Sequence, residues 1–104
     1  MSDPVIARAV DPDGRAVVLT RDGWAHVIAG HPEMAGQREL VMRAIAEPEH
    51  RAPDVRPLRA RYFLRSAGPS RWIRVVVDFS EAEAFVVTAF PERRDPPRWQ
   101  TSTR

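Results

Sequence analysis

The spacing of apolar and polar residues predicts a hairpin at the start of the chain, then helices, then strands. Residues 5–10 and 15–20 alternate weakly between apolar and polar positions, and they flank an Asp-Pro-Asp-Gly sequence at residues 11–14. Proline and glycine in such a sequence are typical of a tight turn. We therefore expect two antiparallel strands joined by this turn.

A helical period follows the second strand. Thr20 is a good N-cap residue. Trp24, Val27 and Ile28 have the i, i+3, i+4 spacing of a buried helical stripe. These signals predict a first helix between Thr20 and Gly30, since glycine commonly follows the last turn.

A second helix is predicted directly after the first. Pro32 suits the first position of a helix, which makes His31 the expected cap residue. The apolar spacing continues to about Ala46, and Pro48 stops it. Residues 49–57 are rich in proline and charge and are predicted to form a loop.

From residue 58 the period changes to two, which predicts strands over residues 58–65, 72–79 and 85–90. Turns are expected at residues 67–70 and 80–82, so the strands should pair as an antiparallel meander. The predicted fold is α+β, with two N-terminal helices packed on one face of a twisted antiparallel sheet of about four strands and an additional N-terminal strand.

This pairing assigns each strand residue to one of two faces. It sets Arg65 opposite Trp72, Phe63 opposite Arg74, Arg74 opposite Thr88 and Val75 opposite Val87. The face predicted to pack under the helices holds Leu58, Ala60, Tyr62, Leu64, Ile73, Val75, Val77, Phe79, Phe85, Val87 and Ala89. The opposite face is predicted to hold Arg59, Arg61, Phe63, Arg65, Trp72, Arg74 and Thr88.

Composition and charge narrow the class of protein. A chain of 104 residues is one domain by size, with a core over about residues 5–90 and a polar tail of proline and arginine over residues 91–104. There is no cysteine, which excludes disulfides and thiolate sites. The sequence has no long apolar run of the kind that predicts a signal peptide or a membrane span. We therefore expect a cytoplasmic protein without membrane contact.

All basic residues are arginines, and they are concentrated in the second half of the chain. Residues 1–52 hold six arginines against eight carboxylates, whereas residues 53–104 hold ten against six. Arg61, Arg65 and Arg74 could clamp phosphates, while Trp72 offers a ring on which a base could stack. The alternative is an exposed sheet face that arginines keep hydrated.

Two motifs resemble a known family. Residues 19–33 fit LT-x-x-x-W-x-H-[IV]-x-x-x-H-P-E, and residues 86–90 fit V-[IV]-T-A-[FY]. They resemble the small phage-associated nuclease-fold domains grouped with barnase, EndoU, colicin nucleases and RelE. The resemblance, over about residues 15–90, implies helices on a four-stranded antiparallel sheet and metal-independent RNA cleavage, or descent from enzymes that had it.

RNA cleavage without a metal requires a base, an acid and cations around the phosphate. We assign His31 as general base or acid, His26 as its partner or orienter, and Thr88 as a positioning donor. Glu33 could take the place of His31 or act as the base itself. No cofactor or metal is expected, because zinc binding by the histidines with Glu33 or His50 lacks the i, i+4 spacing.

Plainer roles exist for the same residues. His26 could bond a backbone carbonyl at the core edge, His31 could be only a cap, and Thr88 suits any strand. The predicted helices and arginines also lie on opposite sheet faces, so the histidines and arginines can meet only at a sheet edge.

Two functions therefore stand at this point. The first is a ribonuclease, toxin-like or phage-derived, whose partners would be RNA and an antitoxin protein or a second copy of the chain. The second is a non-catalytic module of the same architecture that binds nucleic acid or protein.

Overall fold

Six strands and two α-helices form the computed structural model, which describes residues 3–65 and 71–96. The strands are β1 (Val5–Val10), β2 (Ala16–Thr20), β3 (His50–Pro53), β4 (Arg59–Arg65), β5 (Trp72–Asp78) and β6 (Ala84–Glu92). The helices are α1 (Arg21–Gly30) and α2 (Arg38–Ala46), with a short 3-10 helix (Pro32–Met34) between them. Among the described residues, no helix is long and apolar enough to span a membrane.

The strands form one mixed sheet in the order β1-β2-β6-β5-β4-β3. Neighbours pair antiparallel except β2 and β6, which pair in parallel through Val17 with Ala84 and Val18 with Phe85. The prediction of an antiparallel sheet of about four strands is therefore wrong. It missed β3, because the proline and charge of residues 49–57 indicated a loop, and it could not foresee the parallel contact between distant strands.

The first hairpin and the first helix are confirmed. β1 and β2 pair antiparallel across the predicted turn. The Thr20 side chain accepts a hydrogen bond from the Gly23 backbone N–H at 3.0 Å and so caps α1. A Cβ on Gly23 would lie 2.9 Å from Thr20 Oγ1, so this tight cap favours glycine.

The second helix starts later than predicted. Only Pro32–Met34 follow His31 in a helical turn, and α2 begins at Arg38. Gly36 separates the two with a φ of 85°, a left-handed conformation that glycine adopts readily. His31 is the residue before the 3-10 helix, but its side chain makes no capping hydrogen bond. A short 3-10 helix therefore stands beside His31 where the N-terminus of an α-helix was expected.

The register between β4 and β5 is confirmed, with Phe63 opposite Arg74 and Arg65 opposite Trp72. The β5–β6 register is wrong by two residues, since Arg74 lies opposite Phe90 and Val75 opposite Ala89. An irregularity between Val76 and Val77 then shifts the alternation of β6.

This shift changes which β6 residues are buried under the helices. Ala84 and Val86 belong to the main core in place of the predicted Phe85 and Val87, whereas Ala89 lies in it as predicted. Thr88 keeps its predicted face, because it lies opposite Val76, two residues along β5 from Arg74.

The main core lies between the helices and one face of the sheet. Its helical side is formed by Val27, Met34, Val41, Ala44 and Ile45. Tyr62, Val75 and Val77 are among the strand residues that it buries completely. Leu58, also predicted for this core, is instead 64% exposed at the end of the β3–β4 loop, with a φ of 64°.

The tip of the first hairpin reaches β4 and closes one end of this core. The Tyr62 hydroxyl donates a hydrogen bond of 2.7 Å to Asp11 Oδ2, and Arg15 Nε donates one of 2.9 Å to the same oxygen. Arg51 of β3 also pairs with Asp13 of the turn at 2.9 Å. The turn that follows β1, at one edge of the sheet, therefore contacts β3 at the other edge as well as β4.

Two predicted segments lie wholly or partly outside the described residues. The turn at residues 67–70 is one of them. The polar tail was expected from residue 91, but β6 continues to Glu92 and residues 93–96 follow it against the sheet. Residues 97–104 lie outside the described part.

Candidate nucleic-acid interface

The sheet face opposite the helices carries the predicted arginines, and we call it the arginine face. Cross-strand register places the following described residues on it: Arg59, Arg61, Phe63, Arg65, Trp72, Arg74, Val76, Thr88, Phe90 and Glu92. Arg61 and Arg74 lie on adjacent strands and line one cleft. The sequence thus predicted correctly that these cations share a face.

Three of these arginines are paired with carboxylates that the sequence analysis did not assign to the site. The pairs are Arg61 Nε with Asp54 Oδ1 at 2.7 Å, Arg59 Nε with Asp78 Oδ2 at 2.9 Å, and Arg74 Nη1 with Glu92 Oε1 at 3.3 Å. Asp78 lies directly opposite Arg59, as the predicted β4–β5 register already implied, whereas Glu92, opposite Trp72, lies beyond the predicted end of the last strand at residue 90. The face is therefore largely neutralised from within.

Arg74 is the least completely paired of these cations. Its Nε is buried and has no hydrogen-bond partner within the described part of the chain. Burial lowers the pKa of Arg74 and the nearby Arg61 lowers it further, while Glu92 opposes both effects. A buried donor without a partner is costly, and such groups often mark a place where a ligand or water binds.

A cleft of about 270 Å³ opens beside Arg74. Its lining residues are Arg61, Phe63, Arg74, Glu92, Arg94, Asp95 and Pro96. Three guanidinium groups and two carboxylates therefore surround one small space. Guanidinium groups bind phosphate oxygens through paired N–H donors, so the cleft has the chemistry of an anion site that its own carboxylates partly fill.

Trp72, predicted as a stacking surface, is only 2% exposed. Its Nε1–H donates a hydrogen bond of 3.0 Å to Asp95 Oδ1. His50 packs edge-on against the ring at 5.1 Å, and the Arg65 guanidinium carbon lies 4.5 Å from the ring centre. Arg65 itself is exposed, and its backbone N–H donates to Glu49. In this arrangement no base could reach the Trp72 ring.

His31 does reach the arginine side of the sheet, at the rim formed by the second half of β6. Its ring stacks on Phe90 with the centroids 5.2 Å apart and the planes 29° apart. The Arg74 guanidinium carbon lies 5.0 Å from the centre of the same Phe90 ring. His31 Nδ1 also lies 4.0 Å from Glu33 Oε2. One aromatic ring therefore contacts both a histidine and an arginine of the predicted site.

Phe90 was missed as a site residue, although the alternation of β6 places it two positions after Thr88 on the same face. Thr88 is half-buried on this face, on the same strand as Phe90, and lies opposite Val76 of β5. His26 is exposed on α1, and no hydrogen bond, ion pair or ring contact joins it to His31, Phe90 or Arg74 in residues 3–65 and 71–96.

The described residues contain no group of three or more histidine, aspartate or glutamate side chains placed to hold a metal ion. Comparisons of the chain with protein-family models, with curated proteins and with solved structures found no match.

Proposed function

We propose that this protein is a metal-independent endoribonuclease that binds RNA along the arginine face and cleaves it at the rim around Phe90. The observation that supports this most directly is that Phe90 contacts both His31 and Arg74. His31 belongs to the first motif of the nuclease resemblance and Phe90 to the second. The two motifs, far apart in sequence, therefore meet where these two rings stack. Membership of the nuclease-fold family that the two motifs resemble is part of the same proposal.

His31 and Glu33 have the roles of base and acid in this proposal. One of them takes the proton of the RNA 2′-hydroxyl while the 2′-oxygen attacks the adjacent phosphorus. The bond from phosphorus to the 5′-oxygen breaks, and the other group supplies that oxygen with a proton. Arg74 stabilises the charge that develops on the phosphoryl oxygens, and Thr88 donates a hydrogen bond to one of them. The products are a 2′,3′-cyclic phosphate and a 5′-hydroxyl.

The test is incubation with mixed RNA in EDTA, with the fragments resolved on a gel. We expect the wild type to cleave and His31→Ala to lose cleavage, while circular dichroism shows that the variant remains folded. His26→Ala is the matched comparison, because it removes the other exposed histidine of this region. Retained activity assigns the acid–base pair to His31 and Glu33, whereas loss gives His26 the partner role that the sequence predicts. An inactive wild type contradicts catalysis.

A second candidate is a non-catalytic module that binds nucleic acid or protein through the same face. The ion pairs of Arg59, Arg61 and Arg74 favour this candidate over catalysis, because a paired cation stabilises the charge that develops on phosphate during cleavage less strongly than a free one. This candidate predicts salt-sensitive RNA binding that His31→Ala leaves unchanged and Arg61→Ala weakens.

A toxin-like ribonuclease would act in the cytoplasm and would need an inhibitory protein or self-association to restrain it. Both expectations depend on the proposed activity. They would be withdrawn if the purified protein failed to cleave RNA.

A further inference from the structure

The four residues that follow β6, residues 93–96, lie against the arginine face, and we call them the C-terminal cover. Asp95 accepts the hydrogen bond from Trp72 Nε1 at 3.0 Å and lies 3.6 Å from Arg71 Nη1. Pro96 is buried, and together with Arg94 it lines the cleft beside Arg61 and Arg74. The cover therefore occupies the surface that an RNA strand would need.

Asp95 presents to this surface an anionic acceptor oxygen, as a phosphate would. A carboxylate oxygen accepts from an N–H donor and attracts a guanidinium, as a phosphate oxygen does. The hydrogen bond from the Trp72 N–H lowers the pKa of Asp95 by more than burial raises it, and Arg71 and Arg65 lower it further. The Asp95 carboxylate thus carries a negative charge at neutral pH and can compete with a phosphate, although Arg93 and Arg94 make the cover as a whole cationic.

The covered state leaves one group unsatisfied. Arg74 Nε is buried in the described structure without a hydrogen-bond partner, although Glu92 pairs with Nη1 of the same side chain. Asp95, in contrast, is an exposed residue held by a hydrogen bond and a weak ion pair. Because exposed ion pairs contribute little, the pairing of Asp95 with Arg71 adds little to the stability of the cover, and an incoming phosphate could approach Arg74 from the cleft.

We propose that residues 93–96 are an intramolecular cover whose Asp95 carboxylate competes with single-stranded RNA for the arginine face, and that Trp72 is a base-stacking site exposed when Asp95 and the Arg65 side chain move away. The proposal rests on the proposed function insofar as RNA is the ligand. It adds a stacking subsite and a means of limiting access to it. Stacking of a base on a released indole ring would also account for a tryptophan placed among arginines.

The experiment measures RNA binding without cleavage. The full chain carrying His31→Ala is titrated with a fluorescein-labelled single-stranded RNA of about ten nucleotides, within the site size of such surfaces. Asp95→Ala is expected to tighten binding about fivefold, the effect of removing one hydrogen bond of ordinary net strength from the competing state. Glu83→Ala is the matched control, because it removes the same charge from an exposed ion pair with Arg8 at 3.6 Å.

Trp72 provides an independent readout. In a chain that also carries Trp24→Phe and Trp99→Phe, Trp72 is the remaining tryptophan. RNA is expected to quench its emission, and Asp95→Asn, which keeps an acceptor oxygen but loses the charge, should bind RNA with intermediate affinity. Circular dichroism checks that each variant is folded.

The outcomes separate this inference from the proposed function. If Asp95→Ala binds RNA no better than Glu83→Ala, the cover is overturned while RNA binding stands. If neither variant binds RNA at low salt, the cover and the proposed function are both overturned. If Asp95→Ala gains affinity but the protein with His31 intact never cleaves RNA, the cover stands and the catalytic proposal fails.

Discussion

Asp11 and Arg74 are both charged, both largely shielded from solvent and both paired with an opposite charge, yet their surroundings differ. Asp11 accepts hydrogen bonds from the backbone N–H groups of Asp13 and Arg15, from Arg15 Nε and from the Tyr62 hydroxyl. Arg74 has one pairing with Glu92 and a buried Nε without a partner in the described structure.

The difference separates a structural cluster from a candidate binding cluster. A buried charge whose oxygen atoms are all bonded stabilises one arrangement of the chain, whereas an incompletely bonded one leaves donors for something else. Burial and the hydrogen bond to Asp11 raise the pKa of Tyr62 well above its ordinary value, so its hydroxyl stays a donor. The Asp11 cluster joins the hairpin tip to β4, and the Arg74 cluster borders an open cleft.

The largest expected effect is the loss of stability in Asp11→Ala. The change leaves the buried Tyr62 hydroxyl and two turn N–H groups without their acceptor, and we expect a loss of about 3 kcal/mol in the free energy of unfolding, at the low end for buried pairs because Arg15 is half-exposed. Urea denaturation measures it. Asp13→Ala, in the same turn but 56% exposed in its side chain, is the control and should cost far less. Similar losses in the two variants would contradict the structural role.

For Arg74→Met we expect little change in stability and a loss of RNA affinity, the reverse of the pattern expected for Asp11→Ala. Methionine has a side chain of similar length without the incompletely bonded charge, and Glu92 keeps Arg94 at 3.7 Å as a partner, so we expect stability to change by less than about 1 kcal/mol. RNA affinity should fall about tenfold, as for loss of a charged hydrogen bond to phosphate, with a shallower salt dependence. Arg8→Met, which removes the same charge from exposed β1, is the control for net charge. If Arg74→Met lowered the free energy of unfolding as much as Asp11→Ala, the two clusters would not differ in kind.

The smallest effect is the pH dependence contributed by the carboxylates of both regions. Hydrogen bonds from the Ser80 hydroxyl and N–H, and from Arg59, lower the pKa of Asp78 from 3.8 to about 2. Burial alone would raise the pKa of Asp11, but its hydrogen bonds from Arg15 and Tyr62 outweigh burial and lower it. A lowered folded-state pKa contributes stability that is complete above the unfolded value and is lost as the pH falls through the folded value.

The melting temperature should therefore fall as the pH is lowered from 3.8 to about 2. Asp78→Asn should make this fall shallower, because it removes one of the groups that must be protonated. Glu81→Gln, on an exposed residue of the adjacent loop, is the control and should leave the slope unchanged. Equal slopes in Asp78→Asn and the wild type would argue against the pairing with Arg59 and Ser80.

Local sequence pattern was sufficient for the elements whose determinants lie within a few residues. The Thr20 cap, the first hairpin and the β4–β5 register all follow from short-range signals, and the structure confirms them. The irregularity in β6 was not predictable in this way, since nothing in the Val-Val-Thr-Ala-Phe run indicates where one extra residue will be accommodated. The break at Gly36 had a signal, its glycine, which the helical spacing on either side obscured.

The sequence by itself determined that arginines and aromatic residues share one sheet face, because side chains in a strand alternate by a fixed period. Only the tertiary structure decided that Asp54, Glu92 and Asp95 neutralise that face, that Trp72 is covered, and that His31 meets Phe90 at its rim. The physical reason is that those contacts depend on the curvature of the sheet, the bulge in β6 and the path of the chain after Glu92. These are properties of the whole assembled sheet, whereas alternation is a property of each strand alone.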